Sequence, residues 1–234
     1  MKPFVILAIG AHPDDVEIGM GGTIRTHVEN GDVVYVCNLT KAELSSNGNP
    51  SLRQKEATKS ANVLGVRERI QLEFPDRHID RSHPSYRELV TVIRKVKPDV
   101  VFAPYHEDRH PDHGASCHIV KEAVFDAKIR KYLPEVPSHQ VKQLFYYFIN
   151  GIVSADFYID ITPAQEIKME ALSCYQSQFE KQVGSVTTPL TDRYLENVRY
   201  RDSLFGKEAG VQFAEGFKCE QPLLFSSIPK RSLP

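Results

Sequence analysis

The first two thirds of the chain alternate between buried strand patterns and helical patterns. Residues 4–9 form an unbroken apolar run, and residues 99–103 form a second buried strand, as is typical of a parallel sheet. Residues 51–64 and 86–96 have helical patterns; Ser51 can cap the first of these helices, and Gly65 ends it. The alternation predicts an α/β fold whose mostly parallel sheet carries helices on both faces.

The remaining elements follow from the same patterns. Strands are predicted at residues 33–39, 70–74, 144–149 and 157–161, and helices at residues 24–29, 114–127, 163–178 and 191–204. Residues 206–234 are interpreted as irregular or edge structure. No linker, low-complexity segment or repeat interrupts the chain, so we expect a single domain over residues 1–234 with a C-terminal extension.

Composition excludes several classes of function. The 234 residues carry a net charge of −1, without the basic surplus of most nucleic-acid-binding proteins. No run of 18 apolar residues is present, so no transmembrane helix is expected, and residues 4–9 are too short for a signal peptide. The four cysteines form no CxxC pair. We therefore expect a cytoplasmic protein that binds neither nucleic acid nor a membrane.

Metal-ligating side chains follow the first predicted strand. The loop after residues 4–9 contains His12, Asp14 and Asp15. Ligands of open parallel sheets bind beyond the carboxyl ends of the strands. On its own, such a loop is equally consistent with a helix cap and a surface charge.

A second such loop follows residues 99–103 and contains His110, Asp112 and His113. On its own it could be a polar turn. The fold brings both loops to the same edge of the sheet, and this coincidence favours a functional site.

The combined side chains suit a metal-dependent hydrolase. A catalytic zinc ion needs three protein ligands and an open position for water, and two imidazoles with one carboxylate meet that need. Asp14 and Asp15 are neighbours and point in different directions, so one can bind the metal while the other acts as a base towards water.

Residues 11–15 (AHPDD) and 110–113 (HPDH) resemble the LmbE/PIG-L family of zinc-dependent N-acetylglucosaminyl deacetylases. The similarity extends over nearly the whole chain. Four further segments resemble the branch of the family that hydrolyses N-acetylglucosaminyl malate to glucosaminyl malate and acetate in bacillithiol biosynthesis. These segments are residues 39–48, 75–77, 108–114 and 206–211.

The resemblance implies a Rossmann-like three-layer fold and one zinc ion per chain. It implies that His12, Asp15 and His113 bind the metal and that Asp14 is the general base. It also implies that a water bound to the metal attacks the amide carbonyl of a small amino-sugar substrate. Family relatives are often oligomeric, so a homo-oligomer is expected.

Further roles follow from the same resemblance. His110 would stabilise the oxyanion, and Asp112 would accept a hydrogen bond from the His110 ring and favour its protonated form. Arg53 and Tyr194 would contact substrate. The alternatives are a solvated surface position for Arg53 and a packed core position for Tyr194.

Four alternatives remain open at this point. The substrate could be N-acetylglucosamine or a chitooligosaccharide, and the metal could be Fe²⁺. A nucleotide-binding Rossmann module is disfavoured because no GxGxxG follows the first strand. A non-haem iron oxygenase uses similar ligands but usually has a β-barrel fold.

Overall fold

The structure is a computed structural model that describes residues 3–225. Seven strands in this range form one sheet, and most of them alternate with helices along the chain. The strands are β1 (Val5–Gly10), β2 (Val33–Asn38), β3 (Glu68–Gln71), β4 (Val100–Pro104), β5 (Gln143–Tyr147), β6 (Phe157–Asp160) and β7 (Ala214–Cys219). The α-helices are α1 (Asp15–Glu29), α2 (Pro50–Leu64), α3 (Ser85–Val96), α4 (Pro111–Ala127), α5 (Gln165–Ser173), α6 (Gln176–Phe179) and α7 (Tyr194–Ala209).

The sheet has the strand order β3-β2-β1-β4-β5-β7-β6. The first five strands of this order pair in parallel, and β7 pairs antiparallel with both of its neighbours. The predicted α/β fold with a mostly parallel sheet is therefore confirmed. The direction of sheet growth reverses between β1 and β4, and ligands of open α/β sheets bind beyond the carboxyl ends of strands at such a point.

Helices cover both faces of the sheet. Successive side chains of a strand point to opposite faces. Leu7 and Ile9 of β1 pack with residues of α3 and α4, whereas Ile6 and Ala8 pack with residues of α1, α2 and α5. The result is the expected three-layer arrangement.

Helix α1 begins at Asp15, well before the predicted start at residue 24. Gly19 lies inside this helix. A Cβ at Gly19 would lie 2.0 Å from a ring carbon of Tyr147, so only glycine allows the helix to pack this closely on the sheet.

The backbone of α1 breaks at Met20, whose φ of −149° and ψ of 24° are not helical. Two side chains from the last part of the chain bind the groups on either side of the break. Arg201 of α7 donates to the carbonyl of Ile18 at 2.6 Å. Glu215 of β7 accepts from the N–H groups of residues 22–23 at 3.0 and 2.7 Å. These bonds replace hydrogen bonds that the break removes from the helix.

Helix α2 is capped differently from the prediction. The side chain of Asn49, not that of Ser51, accepts the N–H of Leu52 at 2.9 Å. Gly65 ends the helix in a left-handed conformation, with φ 78°, as predicted.

The C-terminal third differs most from the prediction. Helix α7 extends to Ala209, and β7 is an interior strand between β5 and β6 where irregular or edge structure was expected. The helix predicted at residues 163–178 is divided into a short 3₁₀ turn (Thr162–Ala164), α5 and α6. The rest of the predicted extension, residues 226–234, lies outside the described residues.

Within residues 3–225, no helix has the length and apolarity needed to cross a bilayer.

Candidate active site

A cavity of about 240 Å³ lies at the carboxyl ends of the parallel strands. Loops after β1, β2, β3, β4 and β5 all contribute to its wall. The eight residues that we predicted for the site all line this cavity: His12, Asp14, Asp15, Arg53, His110, Asp112, His113 and Tyr194.

Asp15 lies between the two histidines expected to share a metal with it. Its Oδ2 is 3.4 Å from His12 Nδ1, and its Oδ1 is 3.2 Å from His113 Nε2. Ligand atoms of a tetrahedral zinc site are separated by about 3.3 Å, since each bond measures roughly 2.0–2.1 Å. Each oxygen of Asp15 is therefore within about this distance of a nitrogen of one of the two histidines.

The second nitrogen of each histidine faces another carboxylate. His12 Nε2 lies 3.3 Å from Asp112 Oδ2, and His113 Nδ1 lies 2.9 Å from Asp108 Oδ1. Burial opposes protonation of both rings, but Asp15 and these outer carboxylates raise the pKa of His12 to about 10 and that of His113 to about 9. A carboxylate behind a metal-binding histidine commonly fixes the orientation of its ring.

The site has more carboxylates than cationic side chains to pair with them. Within residues 3–225, the ion pairs of Asp15, Asp76 and Asp108 all involve imidazoles. Asp76 Oδ1 is buried, has no hydrogen-bond partner among the residues that the structure describes and lies 3.7 Å from His12 Nε2. This donor set of imidazoles and anionic oxygens suits a divalent cation.

Two triplets that differ from the predicted set bring one ligand atom from each residue within 4.8 Å of one another among the described residues. One combines His12, His110 and His113, and the other combines His12, Asp76 and Asp112. Both share His12 with the predicted set, so the ligand set remains a prediction to be tested by substitution.

Asp14 has a strained backbone and a buried side chain. Its φ of 115° is rare for a residue other than glycine, and such strain is concentrated at functional sites. Arg53 Nη2 lies 2.8 Å from Asp14 Oδ2. Burial raises the pKa of Asp14 to about 6, although the charge of Arg53 opposes the rise. A carboxylate with this pKa is well suited to accept a proton near neutral pH.

The position of His110 differs from the prediction. Its Nδ1 accepts a hydrogen bond from the Asp112 backbone N–H at 3.2 Å, whereas the Asp112 carboxylate contacts His12 and Arg77. Burial and the neighbouring His12 and His113 lower the pKa of His110, which disfavours the expected protonated form. The neutral ring then has its proton on Nε2 and remains a donor.

Arg53 and Tyr194 both reach the cavity wall, but each is already hydrogen-bonded. Arg53 is buried and donates to the carbonyl of Pro13 at 2.9 and 2.7 Å, which excludes the solvated-surface alternative. The Tyr194 hydroxyl lies 3.0 Å from Asn150 Oδ1, and its ring stacks on Phe179. Their contacts with substrate remain predictions.

Sequence analysis assigned no role to three residues that the structure places at the site. Asp76 and Asp108 lie in segments that carry the family resemblance, which was the available signal. Asn150 donates its side-chain N–H to Asp108 Oδ1 at 2.9 Å and directly follows the strand predicted to end at residue 149. The rule that ligands bind at carboxyl ends could have identified it.

Comparison with known proteins identifies the family. Residues 7–124 match the PIG-L family, described as GlcNAc-PI de-N-acetylase. Diacetylchitobiose deacetylase from Thermococcus kodakarensis is 30% identical over 228 residues, which cover 91% of this chain and 82% of that protein. The probable N-acetyl-alpha-D-glucosaminyl L-malate deacetylase 2 from Bacillus anthracis is 28% identical over 217 residues, which cover 83% and 90%.

The fold has equally close counterparts among solved structures. The conserved protein TT1542 from Thermus thermophilus superimposes with a TM-score of 0.85 at 32% identity, over 96% of this chain and 98% of that one. The sequence comparisons therefore support a hydrolase and disfavour the nucleotide-binding and oxygenase alternatives. The chain belongs to the PIG-L/LmbE family of metal-dependent deacetylases.

Proposed function

We propose that the chain removes the N-acetyl group from a small N-acetylglucosamine glycoside and that His12, Asp15 and His113 hold one zinc ion for this reaction. The observation that carries the proposal is the position of Asp15, whose two oxygens lie 3.4 and 3.2 Å from nitrogens of the two histidines. Fe²⁺ has compatible ligand preferences, so metal analysis of the purified protein must accompany the activity assay.

The side chains divide the chemistry between them. A bound divalent cation would lower the pKa of a water molecule and polarise the amide carbonyl. Asp14 takes a proton from the attacking water and returns it to the departing nitrogen, which yields acetate and a free amine. His110 donates from Nε2 to the carbonyl oxygen as negative charge develops there. Asp112 and Asp108 keep the two ligand rings oriented.

The comparisons favour a chitooligosaccharide substrate over the malate glycoside expected from the sequence motifs. The Thermococcus relative, named as a diacetylchitobiose deacetylase, is more similar than the Bacillus malate deacetylase and covers more of this chain. Diacetylchitobiose is therefore one of the two substrates to be tested.

One feature of the cavity favours N-acetylglucosaminyl malate as the second candidate. Arg53, Arg77 and Arg109 all line the cavity, and arginine pairs well with carboxylates such as those of malate. Arg53 is buried against Asp14, whereas Arg77 and Arg109 make exposed or half-buried contacts. Of the two outer arginines, Arg109 is thus better placed for an anionic aglycone than Arg53.

A direct comparison of substrates tests the proposal. Zinc-loaded protein is assayed for amine release from diacetylchitobiose, N-acetylglucosaminyl malate and free N-acetylglucosamine, and Asp14→Asn protein serves as the control. The expected result is amine release from at least one glycoside, abolished in the control. Protein that holds stoichiometric zinc and releases amine from none of them contradicts the proposal. The ratio of the two kcat/KM values identifies the preferred aglycone.

A further inference from the structure

Arg77 holds the Asp112 carboxylate at both of its oxygens. The Arg77 backbone N–H donates to Asp112 Oδ2 at 3.0 Å, and Nη1 donates to Oδ1 at 2.8 Å. Asp112 itself is buried, whereas the Arg77 side chain is about half exposed at the cavity mouth. Charge-assisted bonds of this kind fix both the ionisation and the orientation of a carboxylate.

The backbone around Arg77 is built for this contact. Arg77 has φ 69°, in the left-handed region that residues other than glycine seldom adopt. The preceding Asp76 is held by a bond from its N–H to Glu43 at 2.7 Å and by a bond from the N–H of Leu44 to its Oδ2 at 2.9 Å. The loop after β3 is thus secured on the loop after β2, with the Arg77 amide directed at Asp112.

The same Asp112 carboxylate also contacts His12, a proposed metal ligand. Asp112 Oδ2, which accepts the Arg77 N–H, lies 3.3 Å from His12 Nε2. The opposite nitrogen of His12 faces Asp15 at 3.4 Å. Any rotation of the Asp112 carboxylate would therefore release the His12 ring from the orientation that directs Nδ1 towards the metal position.

We propose that Arg77 is a positioning residue that acts through Asp112 on His12 and so strengthens metal binding. The inference rests on the proposed role of His12 as a ligand and goes beyond it, because it assigns a function to an arginine on the loop after β3. Two other roles are conceivable for a cavity arginine: direct contact with substrate, and structural support of the loop alone.

Zinc affinity measured without substrate separates these roles. Loss of a group that orients a metal ligand typically costs 10–100-fold in affinity. We expect Arg77→Met to weaken zinc binding by about this factor in competition with a chelator, and Arg77→Lys to have a smaller effect. Arg109→Met is the matched control, because Arg109 lines the same cavity but contacts Asn150, and it should leave zinc affinity unchanged.

A double-mutant cycle then tests whether the effect passes through Asp112. If it does, Arg77→Met combined with Asp112→Asn should weaken zinc binding no more than Asp112→Asn alone. Additive losses overturn the proposal. Unchanged zinc affinity with a raised KM also overturns it, in favour of a substrate contact.

The melting temperature of each metal-free variant provides the remaining control. If Arg77→Met and Arg77→Lys lower the melting temperature equally and also weaken zinc binding equally, Arg77 serves only to support the loop, and the proposal is overturned. Because zinc binding is measured without substrate, a failure of the proposed deacetylation would not alter this result.

Discussion

Two buried groups of charged side chains in this protein differ in how their charges are balanced. Beneath α1, Lys168 Nζ lies 2.6 Å from Asp202 and 2.7 Å from Glu215, and Arg201 approaches Asp202 at 3.5 Å. Two cations thus meet two anions. At the candidate active site, by contrast, Asp15, Asp76 and Asp108 form ion pairs only with imidazoles within residues 3–225.

The difference indicates which group is suited to a structural role and which is suited to binding a cation. Buried charges are costly unless paired, so the balanced Lys168 group is compatible with a purely structural role. An excess of buried negative charge needs a compensating cation. The neighbouring carboxylates raise the pKa values of His12 and His113, so that protons on these rings supply positive charge when no metal is bound. Metal binding would then displace protons from these rings.

The largest effect is expected from removing a ligand. His113→Ala should lose stoichiometric zinc and all measurable deacetylation, because the site then has two of its three protein ligands. Asp76→Asn should retain zinc, since Asp76 is not in the predicted ligand set. Metal content after dialysis is the measurement. Retention of zinc by His113→Ala, or its loss from Asp76→Asn, would favour the triplet of His12, Asp76 and Asp112.

The next largest effect is expected at Asp14. Asp14→Asn preserves side-chain size but removes the base, and the rate should fall by roughly 10²–10⁴-fold while zinc is retained. Steady-state kinetics and metal analysis on the same preparation measure both quantities. Near-normal turnover would remove Asp14 from the mechanism.

His110→Ala should have a somewhat smaller effect. Loss of one oxyanion donor typically lowers kcat by about 10²–10³-fold, and KM and zinc content should change little. If the variant loses zinc instead, His110 is a ligand, as in the triplet of His12, His110 and His113. An unaltered kcat would eliminate the oxyanion role.

Substitution within the charge-balanced group around Lys168 should lower the free energy of unfolding and leave the catalytic chemistry unchanged. Lys168→Met leaves Asp202 and Glu215 without their shared cation, and breaking a buried pair typically costs about 3–5 kcal/mol. Lys218→Met is the control, since its pair with Asp156 is more exposed and should contribute at most about 1 kcal/mol. Urea unfolding gives both values. Equal losses of unfolding free energy in Lys168→Met and Lys218→Met would contradict the structural role assigned to the buried group.

The smallest effect concerns pH. Asp14 must be ionised to act as a base, and its pKa of about 6 predicts that kcat/KM falls as pH decreases through this value. The charge of Arg53 lowers the pKa of Asp14, so Arg53→Met should raise it and move the acidic limb of the pH profile upward. An acidic limb at the same pH in Arg53→Met would show that Arg53 does not set the pKa of Asp14.

Sequence analysis located the centre of the site because its signals are local. His12, Asp15 and His113 lie in short loops after strong strand patterns, and parallel strands bring their carboxyl ends together. The partners of these residues are not local. Asp112 was expected to orient His110, but the loop after β3 fixes the Asp112 carboxylate against His12, a contact that depends on packing across three strands.

The last third of the chain was the least predictable. Whether a strand such as β7 is interior depends on its partners, which its own residues do not encode. Oligomeric state and cellular location stay predictions.

The break in α1 has a consequence for the order in which the protein matures during translation. The bonds that secure the break come from Arg201 and Glu215, which are synthesised long after Ile18 and residues 22–23. A nascent chain that has emerged only to residue 200 lacks both partners. We therefore expect the helix that begins at Asp15 to be completed only after β7 has left the ribosome and joined the sheet.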